Sequence, residues 1–162
     1  LKTARLLMHF LAGKYCMLDL VFRNTTQVTG VISTKDFFES FVLKTLNVVG
    51  VNEDTEVSVS LISPERMREL NKEHRNRDKV TDILSFPLGE TFVPGYTVRT
   101  LGDIFICPSY AVARAKEENM TIEAKLARLI VHGTLHLLDY DHERSEKEAE
   151  EMDRLEQEIL NQ

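Results

Sequence analysis

Three histidines fall within the eleven-residue segment His132-Gly133-Thr134-Leu135-His136-Leu137-Leu138-Asp139-Tyr140-Asp141-His142. Imidazole is a favoured ligand for zinc and similar borderline ions. On a helix, His132 and His136 share one face about 6 Å apart along the axis, which one metal ion can bridge. A continuous helix would carry His142 about 9 Å past His136 and onto a different face. His142 joins the pair only if the helix stops and the chain folds back. The residues for a stop are present: Asp139 and Asp141 are polar, and Ser145 offers a new helix cap. Aspartate also tolerates the left-handed conformation that ends helices. Three histidines with an open fourth position describe a catalytic zinc site, because structural sites are closed and usually rich in cysteine. Neither Cys16 nor Cys107 is near. The expected cofactor is one Zn²⁺ per chain, held by His132, His136 and His142.

A zinc ion lowers the pKa of a bound water toward ~7 and polarises an oxygen as a Lewis acid, so hydrolysis is the natural chemistry. The spacing H-x3-H-x5-H is also the outline of the long zinc-protease motif, in which a general-base Glu follows the first His. Gly133 stands there instead and can move no proton. A zinc metalloprotease is therefore disfavoured. Another metallohydrolase, or a non-enzymatic protein in which metal only fixes the fold, stays open.

Hydrolysis of a phosphodiester would also call for positive side chains. Residues 66–79 carry a net charge of +3 (Arg66, Arg68, Lys72, Arg75, Arg77 and Lys79 against Glu69, Glu73 and Asp78). Residues 143–158 carry −5, so the acidic balance of the chain sits mostly in its last helix. The 66–79 charges could be no more than the wet face of a short helix, or they could flank an RNA groove. His74 reads as a surface histidine. Asp82 and Asp103 lie in strand-like segments, where either could orient a ligand or cap a turn. Metal-bound hydroxide, Asp139 and Asp141 are the candidate general bases.

These residues need a scaffold. Leu18–Phe22 alternates and reads as a strand, as do Val57–Leu61 and Thr81–Phe86. Leu101–Cys107 is more continuously apolar and reads as a strand buried on both faces. Thr34 caps a helix running to Gly50, and Ser63-Pro64-Glu65 opens a shorter one ending near Arg75. Pro108 starts a helix to about Asn119, and Thr121 caps the one that carries His132 and His136. Ser145-x-x-Glu148 is a capping box for the last helix. Between the third and fourth strands, Gly89, Pro94 and Gly95 mark a long hairpin loop. The order β-α-β-α-β-β-α-α-α predicts an α+β domain with a single mixed sheet of about four strands packed with helices. The metal site is then zincin-like, at a helix end.

With 162 residues, 43% hydrophobic and 28% charged, the chain suits one domain able to bury its own core. A net charge of −6 argues against non-specific coating of nucleic acid. Two cysteines far apart make no disulfide scaffold, which favours a reducing cytoplasm. No apolar run approaches the ~20 residues that cross a bilayer, so no membrane partner is expected. Residues 1–16 hold Lys2, Arg5 and Lys14 but no acid. They read as an extension, processed or non-native, ahead of a single domain at 17–162, with Met17 a candidate natural start.

The histidine segment resembles the YbeY family of bacterial endoribonucleases, whose signature is H-G-x-L-H-L-x-G-Y-D-H. His132, Gly133, Leu135, His136, Leu137, Tyr140, Asp141 and His142 match it. Leu70-Asn71 with Arg75, Thr81-Asp82-Ile83-Leu84-Ser85-Phe86-Pro87 and Leu101-Gly102-Asp103-Ile104 agree as well, so the likeness runs from about Leu18 to Leu160. It implies a metal-dependent endoribonuclease specific for single strands, acting in ribosomal RNA 3′-end maturation and ribosome quality control. The implied partners are single-stranded ribosomal RNA, small-subunit ribosomal proteins and other ribosome-maturation factors. A ribosome-associated binding protein without activity is the corresponding alternative. The resemblance also gives Arg75 a phosphate-contacting, catalytic role, which the fork geometry of guanidinium suits. Asp139 departs from the pattern, standing where the family has Gly. Either it bears modest strain at a positive φ, or its carboxylate reaches the metal shell.

Overall fold

The computed structural model describes residues 6–7, 17–89 and 97–162. Its elements, in order, are β1 (Leu6–Leu7), β2 (Met17–Asn24), a single 3-10 turn (Val31–Ser33), α1 (Lys35–Val49), β3 (Thr55–Leu61), α2 (Pro64–Arg75), β4 (Ile83–Pro87), β5 (Arg99–Ile106), α3 (Pro108–Glu117), α4 (Ile122–Leu137) and α5 (Glu146–Leu160). The strands form one sheet in the order β1-β2-β3-β5-β4. β2, β3 and β5 run parallel, and β4 returns antiparallel to β5. The expected mixed sheet of four strands is therefore present, with the two-residue β1 added antiparallel to the edge of β2. Gly89 ends the described part of the β4–β5 hairpin; Pro94 and Gly95 lie outside the described residues.

The helix ends follow their local chemistry. Thr34, Ser63, Thr121 and Ser145 each accept a hydrogen bond from a backbone N–H of the first turn, which would otherwise lack a partner inside the helix. Gly50 closes α1 in the left-handed conformation at φ 81°.

The sheet has helices on both faces. Leu20, Val57, Val59, Ile104 and Ile106 pack with Phe38, Val42 and Leu46 of α1 and with Leu126 and Ile130 of α4. On the opposite face Met67 and Leu70 of α2 pack with Leu84 and Cys107, joined by Phe86 and Phe105. Adjacent residues of β5 thus enter different clusters, so this strand is buried on both sides, as its continuous apolar character predicts. α5 covers the far side of α4 through Met152, Leu155 and Ile159 against Val131 and Leu135.

Two glycines set how closely the layers meet. Gly133 of α4 lies over β4, and a Cβ there would come within 2.9 Å of Ile83 Cδ1 and Ser85 Oγ. The position after the first histidine therefore faces the sheet, where a side chain would require Ile83 and Ser85 to shift. Gly102 in β5 has φ 139°, and a Cβ on it would run into the Phe86 carbonyl oxygen. Only glycine allows β4 to approach β5 there.

Candidate metal centre

α4 places His132 and His136 one turn apart, with their Nε2 atoms 3.0 Å from each other. The helix stops at Leu138, and Asp139 adopts φ 70°. The Asp139 N–H donates to the His136 carbonyl at 3.1 Å and the Tyr140 N–H to the Leu135 carbonyl at 3.0 Å, which tightens the reversal. Tyr140 packs beside the α4–α5 cluster and anchors the turn. His142 is thereby brought back so that its ring centroid lies 5.3 Å from each of the other two.

One ligand atom from each histidine lies within 4.8 Å of the other two. A tetrahedral zinc ion with bonds of ~2.0–2.1 Å needs nitrogens ~3.3 Å apart. The His132–His136 pair already meets that spacing. The exposed His142 ring has to draw in by at most ~1.5 Å. An all-imidazole donor set of this size fits a borderline ion. Burial, then the neighbouring His132 and His142, hold the His136 pKa below the usual imidazole range, which favours the neutral, metal-binding form.

His132 has a further partner that sequence reasoning passed over. Its Nδ1 lies 2.6 Å from Oε1 of Glu156 on α5. Glu156 is only 7% exposed and belongs to the inner side of its helix, unlike the exposed acids around it. A signal did exist. Met152, Leu155, Glu156 and Ile159 share one helical stripe, and a lone carboxylate in such a stripe calls for a buried partner.

The histidines open onto a cavity of about 510 Å³ lined also by Arg75, Arg77, Ser85, Asp139, Asp141 and Arg144. Arg75 sits at the C-terminal end of α2 and reaches the site past β4, the edge strand. Its positive charge acts on His136 and helps to lower that pKa. The Asp139 carboxylate turns outward instead, 80% exposed and 2.5 Å from Arg144 Nη2. Asp139 thus follows the helix end in the left-handed conformation, and its carboxylate is engaged with Arg144. Asp141 accepts from the Glu143 N–H at 2.9 Å and pairs with Arg144 Nε at 3.3 Å.

The remaining candidates lie elsewhere. His74 stacks edge-on against Phe86, on the α2 face of β4, with centroids 4.9 Å apart. Asp82 binds the buried Lys125 at 3.3 Å together with Glu118 at 3.0 Å. These residues line a second cavity of about 410 Å³ that shares His132 and His142 with the first. Asp103 faces Phe86 across the β4–β5 ladder and lines neither cavity.

The α+β domain thus brings three convergent imidazoles, which could hold a metal ion, beside an arginine-lined cavity. Comparison with known proteins narrows this. Residues 18–162 match the family model described as Endoribonuclease YbeY. The chain is similar to Endoribonuclease YbeY of a Sulfurihydrogenibium species, 45% identical over 128 residues that cover 79% of this chain and 82% of the relative. Its likeness to that of Persephonella marina is 43% over 127 residues, 78% of this chain and 82% of the relative. Among solved structures, the solution structure of TM1509 from Thermotoga maritima superposes with a TM-score of 0.59 at 30% identity, covering 88% of this chain and 87% of that one. The chain belongs to the endoribonuclease YbeY family.

Proposed function

We propose that this protein is a zinc-dependent endoribonuclease cutting single-stranded RNA at the cavity beside His132, His136 and His142, with Arg75 as a catalytic residue. The observation that supports it most is the meeting, in one cavity, of three imidazoles from α4 and its reversal with an arginine from α2. A zinc ion held there would supply Lewis acidity and a water of lowered pKa. The protein's own side chains do the rest. His132 is oriented by Glu156, which accepts its Nδ1–H and so leaves Nε2 free as a ligand. Arg75 presents a guanidinium where negative charge grows on the phosphate. Gly133 lets α4 seat closely against Ile83 and Ser85 of β4, and it offers no general base at the position where the protease motif has glutamate. Asp141, Asp139 or the metal's own water of lowered pKa would move the proton.

Maturation of the ribosomal RNA 3′ end and ribosome quality control, within the cytoplasm, is the role we assign by family membership. Small-subunit ribosomal proteins and other maturation factors are its proposed partners. No helix among the described residues is long and apolar enough to cross a membrane. The test is cleavage of labelled single-stranded ribosomal RNA, with casein as the competing substrate, before and after chelation and zinc restoration. Chelator-sensitive RNA cleavage with casein intact supports the reading. Casein cleavage alone returns it to a protease, and ribosome binding without either activity makes it a binding protein.

A further inference from the structure

The loop after α2 is held with unusual care for an exposed segment. Asn76 caps the helix in the left-handed conformation, φ 54°, its N–H donating to the Lys72 carbonyl at 3.2 Å. The Asn76 bond is that of an αL cap, and the Arg77 N–H then reaches one residue further back, to the Asn71 carbonyl at 3.2 Å. Asn71 is 2% exposed, and its Nδ2 holds the Lys79 carbonyl at 2.8 Å. The loop's one acid, Asp78, is engaged from behind by Arg68 at 2.6 Å and Lys72 at 3.4 Å. The backbone that carries Arg77 is therefore fixed, while the acid next to it faces away.

Arg77 lines the cavity of the three histidines. Among the described residues it makes no ion pair, and neither does Arg75, whereas the cavity's third arginine, Arg144, is neutralised by Asp139 and Asp141. Two unneutralised guanidiniums, one on the last residue of α2 and one on the loop beyond the left-handed Asn76, thus line one polar cavity. Guanidinium in such a setting matches phosphate oxygens, and a fixed loop spares the entropy of ordering it on binding.

We propose that Arg77 binds the phosphate next to the one that is cleaved, so the site takes a single-stranded polynucleotide with at least one phosphate flanking the scissile bond. This rests on the reading of the cavity as a site of RNA hydrolysis. Arg75 serves the reacting phosphate; Arg77 sets register and affinity.

The experiment compares zinc-loaded wild type, Arg77→Ala and Arg77→Lys on one labelled single-stranded RNA oligonucleotide across a series of salt concentrations. Loss of a charge-assisted hydrogen bond predicts a KM raised ~10-fold in Arg77→Ala, with the larger share of the loss in KM rather than in kcat. The slope of log kcat/KM against log salt should shrink by ~0.7, one phosphate contact on a single strand, and Arg77→Lys should restore most of that slope. The Arg77 side chain has no described contact, so thermal melts of all three proteins should coincide. An unchanged KM and salt slope in Arg77→Ala overturns the proposal while leaving the nuclease reading intact. A loss confined to kcat also overturns it, because it would place Arg77 on the reacting phosphate. A zinc-loaded wild type that cleaves no RNA defeats the underlying reading and the proposal with it.

Discussion

The Nδ1 atom of His132 lies 2.6 Å from Oε1 of Glu156, joining α4 to α5 across 24 residues of sequence. With His132 donating, the carboxylate selects the tautomer whose Nε2 lone pair points toward His136 and His142. Glu156→Gln should keep the fold and weaken zinc binding by ~10–100-fold, the usual size for loss of a partner behind a metal-binding histidine. Competitive titration against a zinc chelator measures it, and an unchanged Kd would show that the orientation of His132 is set by packing alone.

Arg75→Ala should lower kcat for RNA cleavage by ~10²–10³ with zinc content and melting temperature unchanged, because it removes a donor aimed at developing charge. Arg75→Lys should recover only part of this, since an ammonium cannot make the two-pronged contact. Full activity in Arg75→Ala would return the residue to the solvated end of α2.

Asp139→Asn keeps a residue that tolerates φ 70° and removes only the charge held by Arg144. Zinc affinity should not change. A weakening of ~10-fold or more, typical of a lost contact to a metal shell, would make the Asp139 carboxylate part of the site after all.

Glu39 of α1 is 7% exposed; its Oε1 has no hydrogen-bond partner and meets Lys35 Nζ only at 3.7 Å. Burial foremost raises its pKa above the usual carboxylate range; Asp36 and Asp19 add to this and Lys35 offsets part of it. A raised carboxylate means the folded protein holds its proton longer than the unfolded chain. Stability then falls as pH rises from the ordinary value of ~4.3 through the raised one. Glu39→Gln should accordingly melt higher than wild type at pH 7, with the gap closing toward pH ~4. Melting temperatures across that range decide it; a gap that widens on acidification would reverse the sign.

Gly102→Ala should destabilise the fold by at least the ~1–3 kcal/mol of a residue forced into a conformation L side chains rarely adopt, with the Phe86 carbonyl clash added. Urea unfolding midpoints measure this. A loss below that range would mean that β4 can slide away from β5, and cavity shape would then change with it.

Much of this was legible locally. Helix starts at Thr34, Ser63, Thr121 and Ser145 are short-range events, a side-chain oxygen meeting an N–H two or three residues on, so residue types alone reveal them. The i, i+4 pairing of His132 with His136 has the same origin in helix geometry. The need for a reversal before His142 also follows from that geometry, since a straight helix carries the third ring out of reach. What the chain order could not contain is distance between remote segments. The apolar stripe put Glu156 on the inner side of its helix, but its partner His132 was decided only when Met152 and Ile159 packed on Val131 and Leu135. Asp139 had two possible destinations, and the choice came from Arg144 being placed five residues on by the same turn. Gly133 read as a missing base. Only the seating of α4 on Ile83 and Ser85 shows that it is a contact point, where an added Cβ would make those side chains shift. By residue type Arg77 was indistinguishable from the other basic residues of its segment, and only the family resemblance singled out Arg75. Their standing apart depends on Asp78 being drawn to Arg68 and Lys72, which is decided by which way a capped loop faces around the edge of a sheet.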